Sequence, residues 1–292
     1  IYNSIYSRAT RLKFQNKGFL RDHHSFEDLI KLNEIYVDKT AYLSQMIEEI
    51  TKSWFLVRPW GFGKSLTIST LKSLFFGQKE LFKGLAIYDK LDGEKFAPWP
   101  VIHLDMSEID ASRGSQAFYD SLALYTLKLA ENLKIKIPPT SSASDLFSAL
   151  ISRLHQKSGQ QVAVLIDEYD APIVSLLAKP TEVKETRETL CEYYRQLKVN
   201  DQHISFAFMT GVTKYVQKGL YSACDNFRDI SLNDEFGTMM GFTLEELKSY
   251  YGQRVKEIAK SRRETEDNLL ESLTRFYDGY SFDGKGLVFN PF

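Results

Sequence analysis

The segment from Trp54 to Ser65 constrains this chain more than any other. An apolar run, Trp54-Phe55-Leu56-Val57, ends in the short loop Arg58-Pro59-Trp60-Gly61-Phe62-Gly63. Lys64-Ser65 follows, and then Leu66, Ile68, Leu71, Leu74 and Phe75 recur at helical spacing. Strand, loop, Gly-Lys-Ser and helix together make the phosphate-cradling P-loop. Loop N–H groups and the positive end of the helix meet phosphate oxygens. Lys64 would reach the β- and γ-phosphates, and the Ser65 hydroxyl would ligate Mg²⁺. The usual spacing G-x-x-x-x-G-K-[ST] puts glycine where this chain has Arg58. Gly61 can supply a positive φ inside the loop instead, and Pro59 stiffens the approach. Because Gly and Ser are also common at ordinary helix starts, the motif needs a second support.

Val162-Ala163-Val164-Leu165-Ile166-Asp167-Glu168 supplies it. Five consecutive apolar residues suit a central parallel strand covered on both faces, and two carboxylates close it. Asp167 would hold the metal, directly or through water. Glu168 would polarise the water that attacks the γ-phosphate. A P-loop followed about a hundred residues later by this pattern points to nucleotide binding.

A chain of 292 residues has room for one large α/β domain and a smaller appendage. The net charge of −1 argues against a dominant electrostatic hold on nucleic acid, although it allows a local basic patch. Cys191 and Cys224 are the two cysteines, so neither a disulfide framework nor zinc spacing exists, and a reducing, cytoplasmic compartment is expected. No run reaches the ~18 apolar residues of a membrane-spanning helix. The 20 Phe and 16 Tyr suit core and interface packing. With Ile first and Asn290-Pro291-Phe292 last, the chain is expected to be part of a longer product.

Along the chain, Ser25-Phe26-Glu27-Asp28 reads as a capping box, and Asp22-His23-His24 before it as a solvated turn. Further strands are expected over 101–106, 204–209 and 238–242. Amphipathic helices are expected over 118–133, 145–154 and 184–198, with a surface loop from Pro138 to Ser142. Thr243-Leu244-Glu245-Glu246 should cap a last helix. Asp105, at one strand end, suits either the metal's outer shell or a loop cap. Thr210, at another, is a candidate γ-phosphate sensor or a plain strand cap.

These residues resemble the AAA-ATPase-like family, whose domain often precedes a PD-(D/E)XK-type nuclease domain. The resemblance rests on Tyr36-Val37-Asp38-Lys39-Thr40, Arg58-Pro59 with Phe62-Gly63-Lys64-Ser65-Leu66, and Leu81-Phe82-Lys83-Gly84-Leu85. It continues through Pro100 to Asp105, Leu165-Ile166-Asp167-Glu168-Tyr169-Asp170, Thr210-Gly211-Val212-Thr213-Lys214, and Tyr277-Asp278-Gly279-Tyr280. Trp60-Gly61 stand where the family usually has two basic residues, and Tyr221 to Ile230 matches loosely.

The resemblance implies an α/β, three-layer P-loop NTPase of the ASCE type, with a parallel sheet ordered 5-1-4-3-2. A small helical or winged-helix-like appendage would follow, so that 1–35 is a linker, 36–242 the core and 243–292 the lid. It also implies Mg²⁺-dependent ATP hydrolysis that couples nucleotide state to attached segments, or a slow nucleotide switch. Glu168, Lys64 and Thr210 would be catalytic. Arg58, Gly61, Phe62, Gly63, Lys64, Ser65 and Leu66 would hold ATP, and Ser65 and Asp167 the metal. Tyr277 to Tyr280 would close over the nucleotide, and Tyr36 to Lys39 would touch adenine. Partners would be ATP and ADP, DNA through a nuclease beyond Phe292, and further copies of the chain, one of which could lend Arg187, Arg195 or Arg228. No membrane is expected, and an Asn-Lys-x-Asp guanine reader is absent from the sequence.

Overall fold

The computed structural model describes residues 25–93, 96–138, 142–214, 225–277 and 279–291. The expected turn at Asp22-His23-His24, the loop residues 139–141, the segment Tyr221–Cys224 and Asp278 lie outside the described residues.

In chain order come α1 (Phe26–Lys31), α2 (Thr40–Glu48), β1 (Ser53–Val57), α3 (Lys64–Phe75) and β2 (Val101–Asp105). Then follow α4 (Ser115–Asn132), α5 (Ala143–Ser158), β3 (Val162–Asp167), the short α6 (Ala171–Val174), α7 (Pro180–Val199) and β4 (Ile204–Gly211). β5 (Arg228–Asp229), α8 (Leu244–Arg262) and α9 (Glu266–Tyr277) complete the set. The sheet is ordered β2-β3-β4-β1-β5, all neighbours parallel, which from the other edge reads 5-1-4-3-2. This five-stranded parallel sheet flanked by helices fits a P-loop-like fold.

Strand alternation explains the three layers. Trp54 and Leu56 of β1, Ala163 and Leu165 of β3, and Phe206 and Phe208 of β4 face a core shared with α1, α2 and α3. Phe55, Val164, Ile166, Ala207 and Met209 face the other core, with α4, α5 and α7. All six residues of β3 are buried, as its unbroken apolar run requires. Its neighbours bring Asp105 level with Asp167, and β1 brings Val57 level with Gly211. The sheet's carboxyl edge therefore collects the polar residues at once.

The expected strand over 238–242 does not form. The fifth strand is Arg228–Asp229, paired beside β1, and Phe242 makes one isolated antiparallel bridge with Phe289. Met239 and Met240 are buried, so that apolar run fills the α1–α3 core from a loop. Thr243 and Glu246 do form a reciprocal capping box at α8. Ser25 caps α1 through the Asp28 N–H. α8 and α9 pack on each other through Val255, Ala259 and Leu269. Among the described residues no helix is long and apolar enough to cross a membrane.

Candidate nucleotide site

The loop after β1 turns through two left-handed glycines, Gly61 at φ 81° and Gly63 at φ 84°. Gly63 caps α3 without any side-chain hydrogen bond, so the helix's first N–H groups have no side-chain cap. A Cβ on Gly63 would meet nothing within 4 Å. The requirement for glycine there is its backbone conformation rather than crowding.

Lys64 opens α3 and is nearly buried. Its Nζ donates to the Pro59 carbonyl at 3.1 Å and lies 3.9 Å from Glu168 Oε1. The Ser65 hydroxyl hydrogen-bonds the Asp167 carboxylate, whose Oδ1 also accepts the Glu168 N–H at 2.9 Å. P-loop lysine, P-loop serine and both β3 carboxylates thus form one cluster. Burial draws the Lys64 ammonium below its ordinary pKa, against the pull of Glu168, Asp167 and Asp170. Burial likewise raises Asp167 and Glu168, offset respectively by the Ser65 hydrogen bond and by Lys64. One hydroxyl and one carboxylate form a hard oxygen donor pair, which suits Mg²⁺ that takes its remaining ligands from phosphates and water. Among the described residues no group of three or more His, Cys, Asp or Glu could hold a metal ion by itself.

Glu168 sits at φ 48°, a conformation that costs a non-glycine residue about 1–3 kcal/mol. Its neighbours impose it. The Tyr169 N–H donates to the Thr210 carbonyl at 3.0 Å, and the Ala171 N–H to the Glu168 carbonyl at 2.9 Å. The chain after β3 is thereby folded back over β4.

Asp170 is the functional-site residue that sequence reasoning left without a role. Buried, it accepts the Val212 N–H at 3.2 Å, and the Thr213 N–H and hydroxyl at 2.7 Å each. The Tyr169 hydroxyl donates to the Thr213 carbonyl at 2.5 Å. The loop leaving β4 is therefore clamped against the loop leaving β3. Gly211 makes the clamp fit, because a Cβ there would lie 2.3 Å from Asp170 Oδ1 and 2.4 Å from Tyr169 Cδ1. Gly211→Ala should destabilise the protein by about 1–3 kcal/mol, the usual effect of overpacking. Urea unfolding checks this, and an unchanged midpoint would show that the clamp yields.

Other expected site residues are placed differently. Thr210, expected just past a strand ending at residue 209, is the next-to-last residue of β4; its hydroxyl donates to the Leu56 carbonyl at 2.7 Å and the residue is fully buried. Arg58 does not join the phosphate-side cluster. Its guanidinium donates to the carbonyls of Val57 and Ser231 at 2.9 and 2.7 Å and stacks 3.9 Å over Phe282. Burial lowers its pKa to about 10. Phe62 is buried edge-on against Tyr280 and Phe282, at 4.9 and 5.3 Å, and Leu66 packs at the edge of the α1–α3 core. The Asn290 amide donates to the Trp60 carbonyl at 3.3 Å, so the C-terminal segment grips the P-loop at several points.

Asp105 caps its own turn through the Ser107 N–H and hydroxyl. At the expected adenine contact, Asp38 accepts the Thr40 and Ala86 N–H groups, while Lys39 pairs with Glu246 at 2.6 Å. These groups tie the segment before α2 to α8. Arg228 is engaged with Glu49 and Glu235. Arg187 and Arg195 lie on α7, half-buried and exposed.

The chain matches known proteins over most of its length. The family model described as Predicted AAA-ATPase matches residues 23–221. The chain is 32% identical over 263 residues to a protein of Azotobacter chroococcum mcd 1 described as "Uncharacterized protein in vnfD 5'region". That alignment covers 88% of this chain and 47% of the relative, so the chain spans about half the relative's length.

Proposed function

This chain belongs to the predicted AAA-ATPase family, and we propose that it binds ATP with Mg²⁺ and hydrolyses the β–γ anhydride. The observation that carries the proposal is the Lys64–Glu168–Asp167–Ser65 cluster at the carboxyl edge of a parallel sheet. The strand order, read 5-1-4-3-2, supports an ASCE-type core. Gly61, Gly63 and the start of α3 would wrap the β-phosphate in N–H groups. Lys64 would leave the Pro59 carbonyl for the β- and γ-oxygens, while Ser65 and Asp167 would exchange their mutual hydrogen bond for a shared Mg²⁺. That ion would neutralise charge developing between the β- and γ-phosphates. Glu168, held near Lys64, would accept a proton from the attacking water, and Asp170 would keep the β3 and β4 loops in register around it.

Phosphate release from ATP should require the metal. Turnover is expected to stop with a chelator of divalent ions and to return when Mg²⁺ is added in excess. Equal rates in both conditions would remove the metal from the proposal.

A second reading, a nucleotide-held switch, has its own support. Phe62 and the Trp60 carbonyl of the P-loop touch Tyr280, Phe282 and Asn290, so nucleotide state could be read by the C-terminal segment. A switch would release about one phosphate per chain and retain ADP, whereas an enzyme would continue. Phosphate counted per chain over time separates them.

A further inference from the structure

Residues 280–290 hold the P-loop from outside along its length. Tyr280 and Val288 pair as an antiparallel bridge, so these residues form a short hairpin. At the loop's first position, the Arg58 guanidinium lies 3.9 Å over the Phe282 ring. In the middle, the Trp60 carbonyl accepts the Asn290 amide. Just before Gly63, the buried Phe62 ring meets Tyr280 and Phe282 edge-on. The hairpin in turn sits on the loop that leads from β5 to α8. A Cβ on Gly237 would come within 2.1 Å of Asp283 Oδ2. One on Gly241 would meet the Phe289 carbonyl at 2.9 Å and Phe62 Cε1 at 3.0 Å.

These contacts fall on the residues that decide the loop's shape. Arg58 is buried and donates to the carbonyls of Val57, Ser231 and Phe236, while its Nε has no partner among the described residues. A buried guanidinium so placed draws part of its stabilisation from the Phe282 face. Asp229 and the hairpin's own Asp283 add attraction. Phe62 stands between the left-handed Gly61 and Gly63, whose backbones are the freest in the loop. The seating of its ring therefore fixes how the N–H groups around it point. Side chains face the hairpin and leave the backbone for an anion.

We propose that the hairpin is a brace that sets the P-loop for phosphate, with Arg58 and Phe62 as positioning residues that shape the loop without touching the nucleotide. Its effect on affinity rests on the reading that this loop holds a nucleotide; its effect on the free loop does not. Coupling is reciprocal, so a nucleotide on the loop steadies the hairpin in return.

Amide hydrogen exchange and ADP calorimetry on the whole chain test this. Without ligand, Phe282→Ala should speed exchange of the Arg58 and Thr67 N–H groups, which donate to the Gly211 and Gly63 carbonyls. Leu287→Ala, at an exposed hairpin position, should not. ADP with Mg²⁺ should bind Phe282→Ala about tenfold more weakly, and Phe282→Tyr, which keeps the ring, should recover most of the loss. Gly237→Ala should weaken ADP as well, because its Cβ pushes Asp283 away while φ −57° suits alanine. In the parent, ADP should slow exchange of the Phe289 and Asn290 N–H groups beyond any change at Leu269 of α9. A hairpin that only adds stability would show no such excess. Thermal unfolding checks that each variant is folded. Parent-like ADP affinity in folded Phe282→Ala and Gly237→Ala, or loop exchange alike in Phe282→Ala and Leu287→Ala, would overturn the proposal. If the parent binds no ADP yet Phe282→Ala still loosens the loop, the nucleotide reading fails and the brace stands.

Discussion

Glu168→Gln is expected to keep ATP affinity while slowing multiple turnover by about 10²–10⁴-fold, the range for loss of a positioned general base. The amide has nearly the same shape, so the Asp167 contact to the residue 168 N–H and the backbone bonds on both sides should persist. What disappears is a proton acceptor made more basic by burial and still partnered by Lys64. The left-handed backbone at Glu168 gives the experiment its second edge. If that conformation exists to aim the side chain, Glu168→Gly should relax the backbone cost yet lose turnover as fully as Gln. Calorimetry with ATP and phosphate release under excess substrate separate binding from chemistry. Unchanged turnover in Glu168→Gln would rule the residue out as the base.

Much of the sheet was legible because parallel strands buried on both faces need unbroken apolar runs. Val162–Ile166 is such a run, and Ile204–Met209 is one apart from Ser205. The meeting of Lys64, Ser65, Asp167 and Glu168 was legible for a related reason. β1 and β3 run parallel, so residues just after each strand arrive at the same edge whatever lies between them. Local pattern plus strand direction sufficed.

The failures share a cause as well. β5 is two residues long, and no periodicity can be read from two residues, whereas Met239-Met240-Gly241-Phe242 imitates a strand by being apolar. Arg58 resembled a phosphate ligand by proximity in sequence. Its side chain instead meets Ser231 and Phe282, partners more than 170 residues away. Asp170 accepts N–H groups of a loop more than 40 residues on, and only the parallel pairing of β3 with β4 reveals that clamp. Contacts chosen by tertiary structure leave no local trace, even where both partners stand in recognisable motifs.

Lys64→Ala should abolish measurable ATP binding, a loss of about 10²-fold or more if two charge-assisted hydrogen bonds of about 1.5–3 kcal/mol each are removed. Charge makes the effect larger than contact counting suggests. Asp167, Glu168 and Asp170 all act on the Lys64 ammonium, so it offsets three carboxylates before any phosphate arrives. Without it, a triphosphate would approach that acidic edge with only a metal ion to shield it. The free protein should change less, because Asp167 keeps its Ser65 and backbone donors, and Asp170 keeps the Val212 and Thr213 N–H groups. A melting temperature close to the parent's together with vanished calorimetric heat would place the loss in binding rather than folding. Near-parent ATP affinity in a folded Lys64→Ala protein would mean that the phosphates bind somewhere other than this loop.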